Sequence, residues 1–141
     1  MNAYLYEEIQ IGQEEQFTVR VTEEMLDRFR LITGDENPLH NDRSFAEEKG
    51  HSDKVAFGML TASFLSTLAG VYLPGKNSLI HEVEVKFAKP VYPGDTLKVT
   101  GNVSEKNDTF RLFWMKVTIT NQKGEKVLRG KMRVGVLDEG E

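Results

Sequence analysis

The 141-residue chain has no cysteine. Disulfides, thiolate metal sites and cysteine nucleophiles are therefore excluded together. Lys and Arg form no run, and the net charge is −4, which argues against nucleic acid or an anionic membrane as a partner. The N-terminus, MNAYLYEEIQ, has no cationic segment leading into an apolar one, so no secretory signal is expected. The longest mainly apolar stretch, Val55 to Leu73, is broken by Gly, Ser and Thr and is too short and too polar to favour a membrane span. The expectation is a cytoplasmic protein. Repeats, low-complexity tracts and linkers are also missing. What is present, 39% apolar and 28% charged residues, is the composition of an ordinary globular chain of one domain, 1–141, long enough to bury a real core.

The front half reads as helical and the back half as strands. Phe17, Val19 and Val21 alternate with polar residues, predicting a strand over 15–21. Thr22 is a candidate N-cap, followed by Glu23 and Glu24 in the first turn. Met25, Leu26, Phe29 and Ile32 recur at helical spacing, and Gly34 ends that helix. Asp42 can cap a second short helix that carries Phe45 and Ala46 inward and stops at Gly50. The stretch 58–71, GMLTASFLSTLAGV, has helical length and no charge, so it predicts a helix buried on every side. From Leu79 the period becomes two. Strands are expected from Leu79 through Phe87, to about 104, over 110–120 and over 126–137, joined by turns at Pro90–Asp95, Lys106–Asp108 and Asn121–Gly124. Short connections imply an antiparallel meander with one buried face. The expected architecture is α+β: about five strands wrapped around the buried helix, the layout called a hot-dog. The open edges of so small a sheet invite pairing, so a homodimer or higher even oligomer is expected.

Residues 33–40, TGDENPLH, hold a carboxylate and an imidazole between a glycine and a proline. Pro38 fixes φ and moves Asn37 out of the helical region. The loop is therefore stiff, as a positioned acid–base pair requires. Asp35 and His40 are the candidate pair. Asn37 can fix the loop or orient one of them. Gly58 opens the uncharged helix, where amides have no internal partner and the dipole is positive; it is a candidate oxyanion hole. The bland readings are a turn Asp, a solvated His and a tight-turn Gly. Ser63 and Ser66 on a buried helix ordinarily bond back to the preceding turn, and His51 and His81 carry no signal. A metal site from Asp35, His40 and Asp42 lacks the usual ligand spacing.

Taken together, TGDENPLH, NDRSFAEEKG, FGML-TASFLS, LPGKNS and VKFAKPVYPGD resemble the MaoC-like dehydratase family, and within it the (R)-specific, PhaJ-type enoyl-CoA hydratases. The likeness runs from about residue 5 to 137. The signature Gly-Asp-x-Asn-Pro-aliphatic-His is matched at every fixed position by 34–40. The resemblance implies a hot-dog fold, catalytic Asp35 and His40, an oxyanion-hole amide at Gly58, and supporting roles for Asn37 and for Ser66, or else Ser63 one turn earlier. It implies hydration of trans-2-enoyl-CoA to (R)-3-hydroxyacyl-CoA and the reverse dehydration, with no metal or cofactor beyond coenzyme A in the substrate. One position departs from the pattern: family members more often have His directly before the glycine, and here it is Phe57. The amide of Gly58 survives that change; site polarity or the shape of the acyl pocket is altered.

The pair would hold one water, one group taking its proton as oxygen attacks C3 while a proton reaches C2 on the same face. Asp35 is the base by resemblance, but a coupled pair titrates as a unit. The carrier is coenzyme A or acyl carrier protein. Lys76, Lys86 and Lys89 lie near segments that can meet phosphates, although a solvated face is the simpler reading. Two alternatives remain: a thioesterase, with water attacking the carbonyl carbon, and a non-catalytic acyl-thioester-binding module.

Overall fold

Local signals set the first elements. The hydroxyl of Thr22, directly after β1 (Glu14–Arg20), accepts the Met25 N–H at 3.1 Å and starts α1 (Glu23–Thr33). The helix stops at Gly34, whose φ of 72° suits glycine, with its N–H on the Arg30 carbonyl at 2.8 Å. Pro38, at the first helical position, begins a single unexpected turn, α2 (Pro38–Asn41), because its fixed φ is already helical. Asp42 then caps α3 (Arg43–Glu48) by accepting the Phe45 N–H at 3.2 Å. Leu26 is buried as the spacing requires, but Ile32 is exposed: the apolar stripe is real, and its last turn runs past the core. The computed structural model describes residues 1–138; the last three residues of the expected 1–141 domain lie outside the described ones.

Four more strands, β2 (Ser78–Phe87), β3 (Thr96–Asn107), β4 (Leu112–Thr120) and β5 (Lys126–Val136), complete one antiparallel sheet in the order β1-β3-β4-β5-β2. Only β3, β4 and β5 form the expected meander. β2 pairs with β5 and not with β3. The cause is the connection at 88–95, which crosses over instead of turning back. Its carbonyls and amides are held by distant partners: Ala56 N–H donates to Val91 O at 2.7 Å, Val21 N–H to Asp95 O at 2.9 Å, and Gly94 N–H to Val21 O at 2.7 Å.

The inward residues of β3, β4 and β5, among them Leu97, Val99, Phe113, Met115, Ile119, Leu128 and Met132, are fully buried. Each such side chain contributes roughly 1.5–3 kcal/mol on leaving water. Their cover is α4 (Gly58–Thr67), continued by a π-helical turn at Leu68–Tyr72. Leu60, Leu65, Leu68 and Ala69 point into the sheet. Gly101 lets the helix close on it: a Cβ there would lie 2.9 Å from Leu68 and 2.7 Å from Met115. The sheet wrapped on this helix is the hot-dog fold.

The helix is not buried on every side. Met59, Ser63 and Ser66 are exposed along one stripe. The neighbouring strand β2, an outer strand of the sheet, likewise exposes Leu79, Ile80, Val83 and Phe87. The lack of charge in 58–71 therefore marks two faces: one inside this sheet, and one continuous with an apolar sheet edge. Among the described residues, no helix is long and apolar enough to cross a membrane.

Candidate active site

Asp35 follows the left-handed Gly34 and is held by neighbours. Its N–H donates to Thr33 Oγ1 at 3.1 Å, and the Thr33 hydroxyl donates to the Phe29 carbonyl at 2.9 Å. Its Oδ1 accepts the Asn37 N–H at 3.0 Å. Asn37 acts through several atoms at once. The backbone N–H orients Asp35, Oδ1 caps α2 by accepting the Leu39 N–H at 2.9 Å, and its carbonyl accepts Asn41 Nδ2 at 2.8 Å.

His40 sits half-buried in α2, with Nδ1 2.6 Å from the Val55 carbonyl. A carbonyl only accepts, so Nδ1 carries the proton and Nε2 is the nitrogen free to meet a ligand. One face of the imidazole packs on Phe57, ring centroids 4.3 Å apart and planes inclined by 30°. Phe57 in turn packs on Phe29 at 5.1 Å.

The partner segment is Val55-Ala56-Phe57-Gly58. Val55 N–H donates to the Leu39 carbonyl at 3.0 Å, so the segment lies beside α2, while Ala56 is tied to Val91. Gly58 is the first residue of α4. Its amide has no carbonyl behind it in the helix and stands at the positive end of the dipole. An added Cβ there would lie 3.2 Å from the Phe87 ring, which would have to shift by a few tenths of an ångström.

A cavity of about 350 Å³ brings Asp35, His40 and Gly58 together, with Phe29, Met59 and Phe87 as apolar walls. A second, of about 280 Å³, shares His40, Gly58 and Phe87 and runs past Ala88, Lys89 and Pro90. Ser66 lies outside both, about two turns along α4 on its open stripe, and Ser63 Oγ donates back to the Leu60 carbonyl at 2.6 Å. Sequence reasoning missed the Val55 carbonyl and Phe87. The first is a backbone atom and has no residue signal. The second had one, as the last apolar position of an alternating strand.

A carboxylate, a tautomer-fixed imidazole and a helix-start amide thus line one cavity on a hot-dog fold, the candidate acid–base site. Residues 7–125 match the family described as MaoC like domain. The chain is 32% identical over 142 residues to the (R)-specific enoyl-CoA hydratase of Rhodospirillum rubrum, covering 97% of this chain and 94% of that protein. It is 28% identical over 123 residues to the (R)-specific enoyl-CoA hydratase of Aeromonas caviae, covering 87% and 92%. Among solved structures, the unliganded R-hydratase PhaJ1 from Pseudomonas aeruginosa superimposes with a TM-score of 0.90 at 30% identity, over 95% of this chain and 86% of that one. The chain belongs to the MaoC-like dehydratase family.

Proposed function

We infer that the protein is a hydro-lyase that adds water across a trans-2-enoyl-CoA to give (R)-3-hydroxyacyl-CoA, and catalyses the reverse dehydration. The observation that carries this reading is the single cavity shared by Asp35, His40 and Gly58, in a chain similar along nearly its whole length to an (R)-specific enoyl-CoA hydratase.

The thioester carbonyl lies against the Gly58 amide, which takes the charge that develops as the enolate forms; removing one such donor typically costs about 100-fold or more. Water stands between Asp35 and His40. Its oxygen bonds to C3 while Asp35 takes one of its protons, and His40 delivers a proton to C2 on the same face as the enolate collapses. With Nδ1–H committed to Val55, the proton delivered to C2 leaves from Nε2. One proton is taken and one given, and the returned proton passes between the two groups to reset the pair. Asn37 supports the site through its bond to Asp35. Ser66 supports it from the open stripe of α4 once that stripe is covered.

The acyl chain occupies the cavity walled by Phe29, Met59 and Phe87, and the carrier arm of coenzyme A takes the one past Lys89. Acyl carrier protein is the alternative carrier. The chemistry needs no metal or redox group. The apolar edge of β2 and the open stripe of α4 are contiguous, and a second copy of the chain covers them. Sedimentation at micromolar concentration then gives the mass of a dimer or a higher even oligomer, and Val83→Asp shifts it towards the monomer.

The direct test is loss of enoyl absorbance from trans-2-enoyl-CoA substrates of several chain lengths, with chiral analysis of the product. Formation of the (R)-3-hydroxy thioester is expected. Thioester hydrolysis without hydration would replace this reading with a thioesterase.

A further inference from the structure

The segment 55–58 does more for the reaction than supply the Gly58 amide. Val55 sets the imidazole tautomer through its carbonyl, and Gly58 opens α4. Between them, Phe57 is only 2% exposed. Its ring is spent on two contacts: one against His40 at 4.3 Å and one against Phe29 at 5.1 Å. The ring also lines the cavity that holds Asp35, His40 and Gly58, but so little of it is free that an acyl chain there meets at most an edge. Met59 and Phe87, 65% and 52% exposed on the same cavity, are the surfaces a chain would contact. The change at 57 from the residue usual in the family therefore acts on the imidazole and not on the acyl pocket.

A single hydrogen bond leaves an imidazole free to swing about the bonded nitrogen, moving Nε2 across the cavity. A flat ring packed against its face removes that freedom. We propose that Phe57 is a positioning residue for His40, holding the imidazole at the angle where Nδ1–H meets the Val55 carbonyl and Nε2 meets the reacting water. The proposal rests on the hydratase reading for its kinetic consequence, but its structural content can be tested without it. Misplacing a reacting group by about 1 Å typically costs on the order of 100-fold in rate.

The experiment compares wild type with Phe57→Leu and Phe57→His. Leucine keeps the site apolar but is not flat; histidine restores a flat ring. Three quantities are read: kcat and KM on a four-carbon and an eight-carbon trans-2-enoyl-CoA, the proton NMR signal of the His40 Nδ1–H (assigned by its loss in His40→Gln), and thermal unfolding. In Phe57→Leu, kcat falls about 10- to 100-fold on both substrates, KM changes little on either, and the Nδ1–H signal broadens or disappears. Phe57→His recovers most of the rate and the signal. If Phe57→Leu keeps its kcat and its Nδ1–H signal, and only its chain-length preference moves, Phe57 is an acyl-pocket wall and the proposal is overturned. If wild type hydrates neither substrate, the hydratase reading fails, while the NMR arm still decides the positioning: signal lost in Phe57→Leu supports it, signal kept overturns it. Should Phe57→Leu not fold, Phe57→Met takes its place with the same readouts.

Discussion

The two sides of the cavity around Asp35 and His40 are built by opposite means. On one side, residues 33–41 are held mostly by bonds that span two to four residues: Asp35 to Thr33, Asn37 to Asp35, Leu39 to Asn37, Asn41 to Asn37. These residues are mostly exposed. On the other side, residues 55–58 are largely buried and held from far away, Val55 by Leu39 and Ala56 by Val91. The first side gets its shape from turn chemistry alone. The second gets it from the crossing connection that also puts β2 beside β5. The two meet at His40, whose backbone belongs to the first side and whose ring is held by the second.

Breaking that meeting point should have the largest effect. Asp35→Asn and His40→Gln are each expected to lower kcat by about 100- to 10,000-fold, the usual worth of a positioned acid or base, with the thermal unfolding midpoint held near wild type; a variant that unfolds early would say nothing of chemistry, so both are measured. Next comes the buried side. Gly58→Ala keeps the amide but drives a methyl to 3.2 Å from the Phe87 ring, and kcat should fall by roughly tenfold, less than loss of a whole oxyanion donor. Because the cause is the ring, Phe87→Leu should return part of that loss; no return in the double variant would place the cause elsewhere.

The exposed side should be softer. Asn37→Ala removes the cap on Leu39 but keeps the backbone bond to Asp35, so stability falls by about 1 kcal/mol and the rate falls less than in Gly58→Ala; a denaturant titration and a rate assay separate the two. Asp42→Ala removes the cap of α3, outside the cavity. It should cost about 1 kcal/mol as well, a few degrees in midpoint, about 3 °C, and leave kcat unchanged. If Asp42→Ala lost as much rate as Asn37→Ala, the exposed side would not be locally determined.

The same division decides what was legible beforehand. Thr22, Gly34 and Asp42 act on residues within four positions, and each was readable as a cap or stop; Pro38 was readable as a stiff point of the loop, but not as the start of α2. So were the five strands, because period-two alternation is local. The neighbours of β2 were not, since a crossing and a turn both show as Pro and Gly. Nor was the open face of α4: absence of charge reports burial against something, not against what. In the candidate site, Asp35 and His40 stand out through the 34–40 signature, and Gly58 through the uncharged helix it opens. The stacking of Phe57 on His40 was not, because two rings 17 positions apart become neighbours only after Ala56 and Val91 have met.

The segment 55–58 has a further consequence for how such a chain can change length. The Val55 carbonyl and the Phe57 ring both hold His40, Gly58 opens the helix at the cavity, and Ala56 among them is tied to Val91. Inserting or deleting a single residue would turn every later group away from its partner, and Gly58 would no longer begin the helix at the cavity. The turn between β4 and β5, closed by Gly124 N–H on the Asn121 carbonyl at 2.9 Å, has exposed residues at its tip and can take up extra chain. Length variation is thus admitted at the exposed tip of that turn and barred from four consecutive residues, which act as a ruler for the distance between the imidazole and the helix.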